Sequence, residues 1–213
     1  SVAAQTADLH FTNDLMSQLA ASGRSLLRLT LHVGAGTFKP VKSERIGEHK
    51  MHSERIQVKK LALEELVLQL EKGSPVVAVG TTAVRTLESI YWLGCALEKN
   101  IGYASPLVVS QWQPYDMLPD EMLSPQEAVR AVLLYLEKED MDELTAFTEI
   151  IIAPGYTFRM VDGLITNFHQ PDSTLLLLVA ALVGDDWRKI YSYAMDNNFR
   201  FLSFGDSSLL MKK

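Results

Sequence analysis

Apolar residues along this chain recur with two periods, about 3.6 and 2, and the switches between them divide it into helices and strands. Thr12 is placed to cap a helix running to about Ala21, with Phe11 and Met16 as a staple and Gly23 as its stop. Residues 25–33 alternate: Leu27, Leu29, Leu31 and Val33 share one face, and Arg28, Thr30 and His32 share the other with Leu26. That pattern predicts a strand with one apolar and one mixed face. A glycine-marked loop, G-A-G-T-F-K-P, follows. Residues 60–72 form an amphipathic helix ended by Gly73, and residues 75–79 a buried strand. Gly80-Thr81-Thr82 then turns into a helix ending near Gly94. Ser124-Pro125-Gln126-Glu127 is a capping box with proline at the first helical position, which predicts a helix to about Leu136. Residues 148–153 and 158–168 read as strands around a Pro154-Gly155 turn. Ser173 caps an apolar helix to Val183, Asp185 or Asp186 starts another to about Asn197, and 199–204 is a final strand.

Strands alternating with helices predict an α/β fold, layered α/β/α around a mixed, largely buried sheet, with residues 1–213 as a single domain. The composition agrees, since 47% hydrophobic and 22% charged residues are ordinary for a globular chain with a sizeable core. One cysteine, Cys95, excludes an internal disulfide and a cysteine-rich zinc site and fits a reducing compartment; it follows an apolar helix and is expected to be buried and inert. The longest apolar run, 175–183, is far short of the ~20 residues that span a bilayer. The opening S-V-A-A-Q-T has neither a basic n-region nor an apolar core, so the expectation is a cytoplasmic protein without a membrane partner. A start at Ser1, leading directly into T-A-D-L-H-F-T, suggests a portion of a longer chain.

Charge is uneven. The total is −6, but residues 39–60 hold Lys39, Lys42, Arg45, Lys50, Arg55, Lys59 and Lys60 against Glu44, Glu48 and Glu54, a local +4 that leaves −10 elsewhere. Such a stripe can meet phosphates on an otherwise acidic protein, although a solvated face is the plainer reading. Residues 116–143, with nine acidic residues against Arg130 and Lys138, read as a solvated helical face.

The five histidines, His10, His32, His49, His52 and His169, all lie in polar stretches rather than on apolar helix faces, and a side chain titrating near pH 6.5 suits proton transfer. His49-x-x-His52 with Glu54 would suit a metal only if helical; zinc motifs more often space histidines at i and i+4, and Lys50 and Arg55 would repel a cation. A protonic or hydrogen-bonding role for one of the two, with Glu54 orienting a ring, fits better. The turn at Gly80-Thr81-Thr82, with Arg85 one turn on, offers a helix N-terminus to a carboxylate or phosphate, though most such turns bind nothing; it is not a P-loop. Gly34 and Gly36 in G-A-G-T let a backbone approach a ligand closely, a weak signal whose default is a turn. Thr166-Asn167-Phe168-His169 joins a strand end to the Ser173 helix start, a favoured ligand position in open α/β sheets and equally an ordinary capped turn.

As a set these segments are more specific than any one of them. Ser1-Val-Ala-Ala with Leu9-His-Phe-Thr12, Leu31-His-Val-Gly-Ala-Gly-Thr-Phe38, His49-Lys-Met-His-Ser-Glu54, Val79-Gly-Thr-Thr-Ala-Val-Arg-Thr-Leu-Glu-Ser89, Pro154-Gly-Tyr156, Leu164-Ile-Thr-Asn-Phe-His169 with Pro171 and Ser173-Thr-Leu-Leu176, and Arg200-Phe with Ser203-Phe-Gly-Asp206 closely resemble the S-adenosylmethionine:tRNA ribosyltransferase-isomerase family of queuosine biosynthesis. The resemblance implies a longer protein whose N-terminal segment and inserted β-barrel domain are absent from this chain, which corresponds to the C-terminal part of the main α/β domain. Two positions depart from the family pattern: Gln5 stands for its usual proline and Asp8 for its usual glycine, which leaves open a divergent paralogue, non-catalytic or of altered specificity.

The chemistry the resemblance implies is ribosyl transfer and isomerisation from S-adenosylmethionine to 7-aminomethyl-7-deazaguanine at the tRNA wobble position. Adenine and methionine leave, and epoxyqueuosine forms. It needs a base and an acid but neither a metal nor a further cofactor, S-adenosylmethionine being a co-substrate. On this reading His169, His52 and His10 move or orient protons, assisted by Glu54 or Asp206. Thr81, Thr82 and Arg85 hold the methionine carboxylate, and Thr6, Gly34, Gly36, Thr37, Gly80, Asn167 and Ser173 complete the substrate contacts. Lys39, Lys42, Arg45 and Lys50 meet tRNA phosphates. The protein is expected to be a monomer. A metal-dependent hydrolase using His49 and His52 is the rival enzyme class.

Overall fold

The computed structural model describes residues 7–32, 46–99, 106–118 and 122–213. A 3-10 turn, Ala7–His10, precedes α1 (Asn13–Ala21), β1 (Thr30–His32) and a second 3-10 turn, Ile46–Glu48. Then come β2 (Glu54–Lys59), α2 (Lys60–Glu71), β3 (Val77–Val79), α3 (Thr81–Glu98), β4 (Leu107–Val109), α4 (Gln113–Asp116) and α5 (Pro125–Lys138). The chain ends with β5 (Glu143–Thr148), β6 (Gly163–Asn167), α6 (Thr174–Val183), α7 (Asp186–Asp196) and β7 (Ser207–Met211).

The fold is α/β with mixed strand directions. The described strands divide between two small sheets where the sequence suggested one: a four-stranded sheet in the order β1-β2-β5-β4 and a three-stranded sheet in the order β3-β6-β7. In each, one parallel pair (β4 with β5, β3 with β6) adjoins antiparallel neighbours. Both sheets and α3 feed one core, in which Ile56 and Ala146 join Ala78, Leu164, Ile90 and Trp92.

Helix α3 is the spine. Sixteen of its eighteen residues are buried, so it has no solvent face, and its Arg85, Glu88 and Ser89 must find partners inside the protein. It does not stop at Gly94. That residue is where α5 crosses: a Cβ there would lie 2.0 Å from the Ala128 carbonyl oxygen, so the glycine permits close helix approach. Cys95 is buried beside it, and burial pushes its thiol pKa up.

Helix starts follow their capping chemistry. Thr12 Oγ1 accepts from Leu15 N at 3.3 Å, Ser173 Oγ from Leu176 N at 3.2 Å, and Ser124 with Glu127 forms the full capping box. Strand extents differ more. Among the described residues of the 25–33 pattern, which end at His32, Thr30–His32 pairs and 25–29 does not. Residues 149–153 are not a strand: after two hydrogen bonds to the end of β4 (Glu149 N to Val109 O, Ile151 N to Gln111 O) they run into the Gly155 turn, where φ is 99°. The 158–168 stretch is regular only in β6. The run 199–204 is a turn: Phe199 and Phe201 pack on Phe168, and the actual strand, β7, follows it. No described helix is long and apolar enough to cross a membrane.

Candidate functional site

Strand β2 reads E-R-I-Q-V-K, and its buried face is Glu54, Ile56 and Val58. Alternation thus sends a carboxylate to a core position, 1% exposed, opposite Thr148 of β5. A buried carboxylate needs compensating charge and donors. Arg85, 4% exposed on α3, supplies both: its Nη1 donates to Glu54 Oε2 at 2.7 Å and its Nε to the Ile150 carbonyl at 3.2 Å. Burial lowers the Arg85 pKa, and Glu54 raises it again in part. Its third nitrogen, Nη2, is buried with no hydrogen-bond partner.

Glu54 Oε1 lies 2.9 Å from His52 Nε2. A carboxylate paired with a guanidinium only accepts, so His52 Nε2 is the donor in this contact. The segment bearing His52 is irregular, not helical. It is held by the Gln111 side chain, whose Oε1 accepts from Met51 N at 2.9 Å and whose Nε2 donates to His49 O at 2.7 Å. His49 and His52 therefore lack the helical placement a His-x-x-His metal pair requires. A cation at His52 would face the guanidinium across Glu54, and no three His, Cys, Asp or Glu among the described residues converge as a metal set.

Gly80, with φ at 88°, makes the turn from β3 into α3 and donates its N–H to Ile165 O of β6 at 2.8 Å. This brings the buried Thr81 and Thr82 to the C-terminal end of the parallel β3/β6 pair. Asn167 ends β6, 2% exposed. Its amide donates to Leu202 O at 3.1 Å and Gly205 O at 3.3 Å, while its Oδ1 is buried with no partner. His169 Nε2 meets Thr166 Oγ1 at 2.9 Å, and its backbone N–H donates to the Tyr191 hydroxyl at 3.1 Å. Burial pushes the His169 imidazole down to about 4, so the ring is neutral at pH 7.

Asp206 is engaged by Arg200, accepting from its backbone N–H at 2.7 Å and its guanidinium at 2.9 Å. These bonds, with His10 close enough to add to them, hold the carboxyl below its ordinary value. Ser173 is committed to its cap, its hydroxyl donating to Gln170 O. Lys50 is exposed. Thr6, Gly34, Gly36, Thr37, Lys39, Lys42 and Arg45 lie outside the described residues, as does Gln5.

The structure thus brings together His52, Glu54 and Arg85, and separately Asn167, His169, Asp206 and His10. Two participants carry no sequence signal of their own. Gln111 is one. The other is Glu88, fully buried on α3, whose carboxylate accepts from the Arg159, Met160 and Val161 N–H groups and from the Tyr156 hydroxyl, which in turn accepts from Trp92. Burial raises the Glu88 pKa against these donors. Its place three residues after Arg85, within the Val79–Ser89 stretch, is the one feature of the sequence that points to it. A surface depression of about 280 Å³, lined by Val183, Asp186, Ile190, Leu209, Leu210, Met211 and Lys213, shares none of these residues.

Residues 1–210 match the family described as queuosine biosynthesis protein. A Ruegeria pomeroyi protein named S-adenosylmethionine:tRNA ribosyltransferase-isomerase is 40% identical over 99% of this chain and 48% of its own length. One of the same name from Halothermothrix orenii is 38% identical over 99% of this chain and 49% of its own. A crystal structure of S-adenosylmethionine tRNA ribosyltransferase from Thermotoga maritima superposes with a TM-score of 0.61 at 31% identity, covering 97% of this chain and 51% of that one. The chain spans about half the length of the curated relatives it matches.

Proposed function

The chain belongs to the queuosine biosynthesis protein family, and from that premise we propose that it works as an S-adenosylmethionine:tRNA ribosyltransferase-isomerase. In the proposed reaction the aminomethyl group of 7-aminomethyl-7-deazaguanine, at the tRNA wobble position, attacks the ribosyl unit of S-adenosylmethionine. Adenine and methionine depart, and an epoxycyclopentanediol remains on the base as epoxyqueuosine.

The sulfonium acidifies the adjacent ribose carbon, and a base must take that proton. His52 suits the task, because the buried Glu54 carboxylate accepts from its Nε2 and so orients the ring. The observation that carries this reading is the shared carboxylate: one buried Glu54 holds a histidine on one oxygen and a guanidinium on the other. Arg85 Nη2, buried and unpartnered, would take an oxygen of the methionine carboxylate beside Thr81 and Thr82, where the α3 N-terminus adds its dipole. Asn167 Oδ1 would accept an N–H or O–H of the nucleoside.

His169 and Asp206 serve orientation in this scheme. A ring with a pKa of about 4 holds no proton to give at pH 7, and Asp206 is neutralised by Arg200. His10 stands beside Asp206. Lys39, Lys42, Arg45 and Lys50 would meet anticodon phosphates, so affinity should fall as salt rises.

The test is adenine release from S-adenosylmethionine with and without tRNA carrying the deazaguanine precursor. Release that requires the modified tRNA supports the assignment. Binding of S-adenosylmethionine without release, in either condition, would instead identify a paralogue with another substrate.

A further inference from the structure

We propose that Phe204 is a stacking platform for an unpaired RNA base, presented by the 199–206 turn beside the Asn167–His169 segment; this rests on the reading above that the substrate is an RNA. The turn holds three phenylalanines with two fates. Phe199 and Phe201 pack on Phe168 at centroid distances of 5.6 and 5.2 Å, and Phe201 also meets Tyr191 at 6.0 Å. Phe204, on the same turn, is 87% exposed. Leaving a ring in water forgoes the hydrophobic gain its two neighbours take.

That exposure is not the looseness of a mobile tip, because the backbone beneath Phe204 is tied from both sides. Arg200 N donates to Asp206 Oδ2 at 2.7 Å, Asp206 N to Arg200 O at 2.9 Å and Gly205 N to Leu202 O at 3.0 Å. Leu202 N reaches Phe168 O at 2.9 Å, and the Asn167 amide bonds the carbonyls of Leu202 and Gly205. Leu202 sits at φ 66°, in the left-handed region that a branched side chain rarely adopts. At Gly205 a Cβ would lie 2.4 Å from Arg200 O, so the turn closes too tightly for any side chain there. Fixing an aromatic ring in solvent before its partner arrives lowers the ordering cost of binding.

The occupant is a flat π system, and the openness of the ring selects its source. Adenine of a small co-substrate needs walls on several sides, which a ring this exposed does not provide. A base splayed from an RNA loop, whose backbone is held elsewhere, needs only one face to stack on. The Arg200 guanidinium, 72% exposed while paired with Asp206, stands on the same turn as a cation for the neighbouring phosphate.

The test compares the wild type with Phe204→Ala and Phe204→Trp, measuring affinity for an anticodon stem-loop RNA and, separately, for S-adenosylmethionine. Loss of one base–aromatic stack should weaken RNA binding by roughly 5- to 150-fold in Phe204→Ala. Phe204→Trp should bind as the wild type does, and S-adenosylmethionine affinity should be unchanged in both. RNA binding by Phe204→Ala at the wild-type level would overturn the proposal while leaving the tRNA reading intact. Weakened S-adenosylmethionine binding with unaltered RNA binding would overturn it by assigning the ring to adenine. Failure of the wild type itself to bind the RNA would remove the tRNA reading, and this inference with it.

Discussion

Glu54 and Arg85, 31 positions apart in sequence, meet at 2.7 Å with side chains only 1% and 5% exposed. A pair this deep contributes less to net stability than its geometry suggests, because desolvating both charges offsets most of their attraction. Its worth lies in what it holds. His52 is on the other oxygen of Glu54, and the unpartnered Nη2 of Arg85 is fixed by the same contact.

Removing one member should therefore be far worse than removing both. Glu54→Leu strands a buried guanidinium and should cost about 3–5 kcal/mol in urea unfolding. Adding Arg85→Met should recover most of that loss, while adenine release stays abolished. A double variant as unstable as the sum of its singles would show that packing, not charge, sets the cost.

Gln111 should matter to turnover more than to stability. Its amide fixes the backbone on either side of Lys50 and so aims His52 without touching substrate. Gln111→Met keeps the side-chain length and removes both bonds. A reacting group displaced by about 1 Å can cost on the order of 100-fold. We expect a fall in kcat of that order, with KM for S-adenosylmethionine and the melting temperature close to wild type. A rise in KM at unchanged kcat would mean the 49–52 segment binds substrate rather than performing chemistry.

Helices were legible because their signals are local. Thr12, Ser124 and Ser173 cap where their hydroxyls predict, and glycines stop α1 and α2. Strands were less so. β2 was hidden because its core face begins with Glu54 and its outer face is Arg55, Gln57 and Lys59, so a charged stripe masked a two-residue period. β5 pairs with it through Leu144, Ala146 and Thr148, too small and polar a set to register as a core strand. In 199–204 the opposite holds: phenylalanines at 199 and 201 imitate a strand's two-residue period, yet both pack on Phe168 from a turn, and Phe204 is left in solvent. The candidate residues of the Gly80–Arg85 and Thr166–His169 motifs could be read locally. The Glu54–Arg85 contact could not, since only the tertiary fold reveals that a strand and a helix share one charge.

Gly94 makes the same point about a helix end. A glycine in an apolar run reads as a stop, but here α3 continues past it to Glu98. Gly94→Ala gains up to about 1 kcal/mol of helix propensity. It also places a Cβ 2.0 Å from the Ala128 carbonyl oxygen, in backbone that no rotamer change can move aside. Overpacking of this kind costs about 1–3 kcal/mol and occasionally more. The clash should win, and thermal unfolding should report a lower midpoint. A raised midpoint would mean α5 slides away from α3 at negligible cost.

His169 provides the pH test. Its folded pKa of about 4 lies below the ordinary value near 6.5, and desolvation is the cause. Between those values the unfolded chain binds a proton that the folded one refuses. Stability is therefore level above about pH 6.5, falls as pH drops towards about 4, and loses on the order of 3 kcal/mol across that window. His169→Gln keeps a hydrogen-bonding group near Thr166 Oγ1 but cannot titrate. Urea unfolding at about pH 7 and about pH 5 should show the wild type losing roughly 2 kcal/mol more than the variant. Equal losses would place the imidazole in contact with water, and would return it to the candidates for proton transfer at neutral pH.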